Sequence, residues 1–152
     1  MQLPHWTVYC DGSAMPNPGR MGAGAVITEP DGTRHTLSLA SHATGCNNEA
    51  ELRALTLALE DLKARGATVV QAYTDNSILV EQLGTPGARP IARMAGLFED
   101  ARALLGSFEE ASLHWVPRHR NHEADALARA SLGVGPKPAA RMAKKKTQKT
   151  RR

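Results

Sequence analysis

His114-Trp-Val-Pro-Arg-His-Arg-Asn-His-Glu-Ala-Asp-Ala-Leu-Ala-Arg-Ala130 leads from the end of an apolar strand, through a loop with two histidines, into an alanine-rich helix. Asn121 is placed to cap that helix, because a side-chain oxygen there can accept from an otherwise unpaired backbone N–H. Ala124, Leu127, Ala128 and Leu132 form an apolar stripe at helical spacing. Asp125 lies beside the stripe, in or just past the electropositive first turn, where it can look into a cleft. A carboxylate with imidazoles one or two turns away is an incomplete site, and its partners must lie elsewhere in the chain.

Ala111 to Val116 reads as the strand that feeds this stretch. Upstream of it, Ile91 to Leu105 is a predicted helix, separated by the breaker Thr85-Pro-Gly-Ala-Arg-Pro90 from a short helix at Asn76 to Gln82. Val69 to Asp75 is a strand that ends on a carboxylate. Asn48 to Ala64 is a helix with Leu52, Leu55, Leu59 and Leu62 at helical spacing, Asn47 as cap and Gly66 as stop. Glu51 sits beside that stripe. Further back, Trp6 to Asp11 is a β-branched and aromatic strand that also finishes on a carboxylate. Gly12 to Gly24, with its glycines and prolines, reads as a defined loop. Gly24 to Glu29 and Thr33 to Ser41 are strands joined by the Asp31-Gly32 turn, the signal of an antiparallel hairpin. Three hairpin-joined strands followed by helix–strand–helix–strand–helix predict an α/β fold with a mixed five-stranded sheet flanked by helices. Trp6 and Trp115, both on strands, are expected in the core.

At 152 residues the chain is long enough for one domain, placed at residues 1–132, with a basic tail at 133–152. No apolar run is long enough to span a membrane, and the first residues lack the pattern of a secretory signal. Cys10 and Cys46 are too few for a disulfide framework and fit reduced thiols in a cytoplasmic protein. Charge is distributed unevenly. Residues 133–152 hold eight of the nineteen basic side chains and no acidic one, which leaves eleven basic against fifteen acidic in the body, a net of −4. A body of that sign repels phosphates unless cations sit in it or the tail recruits the ligand. The tail, Pro-interrupted and without periodicity, reads as disordered.

Position thus singles out four carboxylates: Asp11, Glu51, Asp75 and Asp125. Each alone has an ordinary structural explanation as a turn former, a cap or a half-exposed helix residue. Four converging in one cleft repel strongly unless divalent cations neutralise them. An oxygen-only donor set points to Mg²⁺ or Mn²⁺ rather than zinc, and a pair of such ions suits in-line displacement at a phosphodiester.

Tyr9-Cys-Asp-Gly-Ser13 with Asn17-Pro-Gly19, Asn47-Asn-Glu-Ala-Glu-Leu52, Tyr73-Thr-Asp75 and Glu123-Ala-Asp-Ala-Leu-Ala128 resemble the motifs of ribonuclease H, type 1. The resemblance runs from residue 6 to about residue 132 in the family's order. It implies the ribonuclease H fold, with cleavage of the RNA strand of RNA–DNA hybrids by two Mg²⁺ ions and Mn²⁺ as a substitute. The family's four metal-holding catalytic carboxylates fall on Asp11, Glu51, Asp75 and Asp125. A loop histidine that moves a proton falls on His119, with His122 as a competitor because the loop is short and resembles that of a compact subgroup. Asn17, Asn47 and Asn48 match positions that grip the hybrid near the scissile bond, where amides can read a 2′-hydroxyl. The chain departs from the pattern in having Cys46 before the asparagine pair and Asn76-Ser77 after Asp75. It also lacks a basic protrusion between Gln82 and Leu105. His35 and His114, on strands, read as structural.

The resemblance favours a hybrid endonuclease, expected to act as a monomer, and the charge asymmetry implies that the tail, residues 137–152, contacts nucleic acid. Two alternatives stay open: a catalytically weak hybrid-binding module, and a nuclease of the same fold acting on DNA or double-stranded RNA.

Overall fold

The computed structural model describes residues 4–85 and 91–135. Five strands form one sheet: β1 (Trp6–Met15), β2 (Gly19–Thr28), β3 (Arg34–Gly45), β4 (Val69–Thr74) and β5 (Glu110–Trp115). Four helices accompany it: α1 (Asn47–Ala64), α2 (Ser77–Gly84), α3 (Ala95–Gly106) and α4 (His122–Ser131). Short 3₁₀ turns at Ala92–Met94 and Arg118–Arg120 precede α3 and α4. Strand order is β3-β2-β1-β4-β5, antiparallel through β1–β2–β3 and parallel through β1–β4–β5, so the expected mixed five-stranded sheet is observed.

The two halves of the sheet have different local causes. The Asp31-Gly32 turn closes β2 on β3: Gly32 takes φ +94°, its N–H donates to Glu29 O at 2.9 Å, and Asp31 Oδ1 accepts from Thr33 N at 2.9 Å. The parallel half needs crossover helices, and α1 supplies the first. Its Leu52, Leu55, Leu59 and Leu62 are fully buried, as their spacing predicts, against Val8, Cys10, Ile27, Val70 and Ala72. Phe98, Met94 and Ala101 from α3 and its approach close the same core. Gly66 stops α1 at φ +89°.

Several expected boundaries move. Gly12 to Gly24 is not a loop: β1 runs to Met15 and β2 begins at Gly19, so only a short turn remains. The glycines there serve close approach instead of bending. A Cβ on Gly12 would collide with Ala50 O and Glu51 N of α1, and one on Gly22 or Gly24 with Ala128 or Ala124 of α4. Alternate residues of a strand face opposite sides. Ala25 packs with the α1 core while Gly24 meets α4, so α1 and α4 cover opposite faces of the sheet.

Two helix caps also differ from expectation. α1 begins at Asn47, with Cys46 in the cap position and no side-chain cap bond. Asn121 occupies the cap position of α4 but does not cap it. Both asparagines have their side chains committed elsewhere, as described below. The expected 91–105 helix divides into the 3₁₀ turn and α3. Trp6 packs half-buried against the core, but Trp115, expected inside, is 54% exposed at the end of the edge strand β5. Residues 136–152, nearly all of the expected basic tail, lie outside the described residues.

Candidate active site

β1 is the central strand, and on one side it pairs with β4 only from Trp6↔Val70 to Tyr9↔Tyr73. Beyond Tyr9 that edge no longer pairs with β4, which opens a crevice at the carboxyl ends of two parallel strands, where α/β sheets bind ligands. Asp11 stands in the crevice on β1 and Asp75 immediately after β4. α1 brings Glu51 to them because Gly12 lets the Ala50–Glu51 backbone sit directly on β1. α4 brings Asp125 in the same way, through Ala124 and Ala128 seated over Gly24 and Gly22. Carboxylate oxygens of Asp11, Glu51 and Asp75 all lie within 4.8 Å of one another. Asp125 joins these three in lining a depression of about 230 Å³.

The electrostatics follow from that crowding. Asp11 is 5% exposed. Burial, then the charges of Asp75 and Glu51 and the hydrogen bond and charge of Asp125, push its carboxyl up to about 10. Burial likewise pushes Glu51 up to about 7; Asp75 adds to the rise, while the Asn76 amide, Asp11 and the Arg118 guanidinium oppose it. The Cys10 thiol is pushed far above its ordinary range, by burial first and then by Asp11, Glu51 and Asp75, so it stays protonated and donates to Tyr73 O at 3.6 Å. Carboxylates that resist ionisation together form a site that needs cations, and an all-oxygen donor set fits a hard divalent ion.

Amides brace the acids. Asn121 is 2% exposed, and its Nδ2 donates to Asp75 Oδ2 at 3.1 Å and to Cys10 O at 3.0 Å. That bridge between β1 and the end of β4 is why Asn121 cannot turn to cap α4. Trp115 Nε1 donates to the Asp75 main-chain oxygen at 3.2 Å. Asn76 donates to Glu51 Oε2 and, at 2.8 Å, to Asn48 Oδ1.

Beside the acids lies a second, more open depression that Asn17, Asn47 and Asn48 line together with Cys46 and Arg93. Asn47 Oδ1 accepts from Ala14 N at 2.9 Å, and Asn17 Oδ1 accepts from Asn47 N at 3.1 Å. The three expected asparagines are thus brought together, each with its carbonyl oxygen held by a protein donor. Arg93 Nη2 donates to Cys46 Sγ at 3.1 Å, placing a guanidinium at the start of α1.

Neither His119 nor His122 lines the carboxylate or the asparagine depression. His119 and His122 are exposed, with His122 Nδ1 3.2 Å from His119 O, and His122 lines a different depression with Tyr9 and Arg34. Arg118, from the same 3₁₀ turn as His119, lines both the carboxylate and the asparagine depressions. Arg118, Asn121, Asn76 and Arg93 are the site residues that reading the sequence did not assign. A cation inside the His114–Ala130 stretch was the available signal for Arg118, and direct succession to Asp75 the signal for Asn76. Asn121 looked like a cap, and nothing marked Arg93.

A family model described as reverse transcriptase-like matches residues 9–131. A bifunctional protein of Mycobacterium tuberculosis is 33% identical over 135 residues, which cover 88% of this chain and 37% of that protein. The chain therefore spans little more than a third of that relative's length. The crystal structure of RNase H1 from the halophilic archaeon Halobacterium salinarum superposes with a TM-score of 0.79 at 30% identity, covering 85% of this chain and 98% of that one. LC11-RNase H1, solved in complex with an RNA/DNA hybrid, gives 0.73 at 28% identity over 83% of this chain and 95% of that one. A family match across most of the described residues and near-complete coverage of a solved relative agree: the chain belongs to the type 1 ribonuclease H family.

Proposed function

We propose that this chain is an endonuclease that hydrolyses the RNA strand of RNA–DNA hybrids. The observation that carries the reading is the convergence of Asp11, Glu51 and Asp75 within 4.8 Å, with Asp125 lining the same depression. The hybrid seen bound to LC11-RNase H1 supports the substrate class. Asp11, Glu51, Asp75 and Asp125 would hold two Mg²⁺ ions, with Mn²⁺ as a substitute. When bound, such ions supply an activated water and charge stabilisation at the leaving oxygen of a phosphodiester.

The chain's own residues do the rest. Asn121 and the Trp115 indole fix Asp75, and Asn76 fixes Glu51, so the acids are oriented before substrate arrives. Asn17, Asn47 and Asn48 offer amide N–H groups to acceptors of the hybrid. Purine N3 and pyrimidine O2 present an acceptor at every minor-groove position, so this contact does not depend on sequence. Arg118 faces the developing phosphate charge from the rim of both depressions. His119 takes up or returns a proton from the exposed loop next to it. The enzyme works as a monomer in the cytoplasm, and the basic residues 137–152 add contacts to nucleic acid. Among the described residues no helix is long and apolar enough to cross a membrane.

The test is a panel of labelled substrates: hybrid, single-stranded RNA, double-stranded RNA and duplex DNA, each with and without Mg²⁺. The expected result is Mg²⁺-dependent internal cleavage of the RNA strand of the hybrid. Hybrid binding without cleavage would make the chain a binding module, and preferential cleavage of DNA or double-stranded RNA would reassign the substrate.

A further inference from the structure

Asn76 is joined to three parts of the site at once. Its Oδ1 accepts from Ile78 N at 2.8 Å and Leu79 N at 3.3 Å, which caps α2. The cap decides which end of the amide is oxygen. Nδ2 is therefore the atom that faces α1, and it donates to Glu51 Oε2 and to Asn48 Oδ1. An Nδ2 group has two hydrogens, and here each has its own acceptor. Holding Asn48 by its oxygen in turn fixes that amide as well, with its own Nδ2 as the group left for the neighbouring depression that Asn48 lines.

We infer that Asn76 is a positioning residue that sets a metal-holding carboxylate, Glu51, and a substrate-facing amide, Asn48, in one act. This rests on the function proposed above. The chemistry asks for asparagine in particular. Serine or threonine offers an equivalent cap oxygen but only one hydrogen and a shorter reach. Aspartate would cap as well, yet would place another anion against Glu51. Alanine would lose the cap and the bridge together. One side chain thus combines a helix start, a ligand orientation and an amide orientation that would otherwise need two or three residues.

The test separates the bridge from the cap. Asn76→Ser keeps a cap oxygen and removes both donated bonds. Its melting temperature without metal is expected to stay close to wild type, and its Mn²⁺ affinity, read by isothermal calorimetry on the full chain, to weaken about tenfold, the size typical of losing a group that orients a ligand. In hybrid cleavage, Asn76→Ser should lower kcat through Glu51 and raise KM roughly threefold through Asn48, the scale of one lost hydrogen bond. Asn48→Ala should raise KM alone, and adding it to Asn76→Ser should raise KM no further. Wild-type Mn²⁺ affinity together with additive KM effects would overturn the inference. Should Asn76→Ser fail to fold, Asn76→Thr carries the same comparison. The calorimetric readout does not depend on cleavage. Weakened Mn²⁺ binding in a protein that cleaves no hybrid would uphold the positioning of Glu51 and overturn the proposed function instead.

Discussion

At the scale of single residues, Asp11 bears the cost of the site. Its folded-state carboxyl is pushed from 3.8 up to about 10, so without metal the native protein holds a proton that the unfolded chain releases. Stability from such a group is fully present below the unfolded value and is lost as pH rises toward the folded one. Asp11→Asn removes the ionisation while keeping the shape. In EDTA its melting temperature should exceed that of the wild type by a margin that grows from pH 5 to pH 9; a margin independent of pH would contradict the assignment. With Mg²⁺ present, Asp11→Asn and Asp75→Asn should each abolish hybrid cleavage with the fold intact by circular dichroism, since an amide cannot supply the charge that holds a cation. The histidines make a gentler comparison. His119→Ala should reduce kcat up to about 10²-fold, the usual worth of a proton-transfer group, with hybrid affinity unchanged and His122→Ala milder. Greater damage from His122→Ala would exchange their roles. All four carboxylates could be found in the sequence because strand ends and helix stripes place them. The bridging role of Asn121 could not, because the same residue type at the same position is an equally good cap, and only the three-dimensional proximity of Cys10 O and Asp75 decides between the two.

At the scale of elements, the site depends on backbones that touch. α1 reaches β1 at Gly12 and α4 reaches β2 at Gly22 and Gly24, so two of the four acids are delivered by helices lying on glycine. Gly12→Ala sets a methyl against main-chain atoms, which cannot rotate away. We expect it to destabilise the protein by about 1–3 kcal/mol, the range for overpacking, and to cut cleavage further than that loss explains, because α1 must lift and carry Glu51 off Asp11. Denaturant melts paired with kcat at a temperature where the variant remains folded check this; full activity in the folded variant would refute it. This explains why the order of elements could be read from the chain while the first hairpin's extent could not. Glycine is ambiguous in sequence: it marks a bend when its φ is positive, as at Gly32, and a contact surface when a neighbouring backbone needs the space, as at Gly12. The leucine stripe of α1 carries no such ambiguity, and all four leucines are where their spacing puts them.

At the scale of the whole molecule, residues 1–132 carry a net charge of −4, yet the proposed function has them bind a polyanion, while eight cationic residues follow Gly133. Deleting residues 134–152 should raise KM for the hybrid at low salt, flatten its dependence on salt, because fewer counterions are released on binding, and leave kcat nearly unchanged. Equal KM values for the two proteins at low ionic strength would remove the tail from substrate capture, and a lower kcat with lost helical signal would mean that the tail packs on the domain. The sheet order has a further consequence, in time rather than in space. β1 finds β2 at once, but its other edge waits for β4 at Val69–Thr74, and Asp125 comes later still. Pairings so distant along the chain form late. During synthesis the acids therefore emerge one by one, far apart, and no partial chain holds the set. On the proposed function, a chain ordered this way stays inert toward the nucleic acid around it until α4 has left the ribosome and docked.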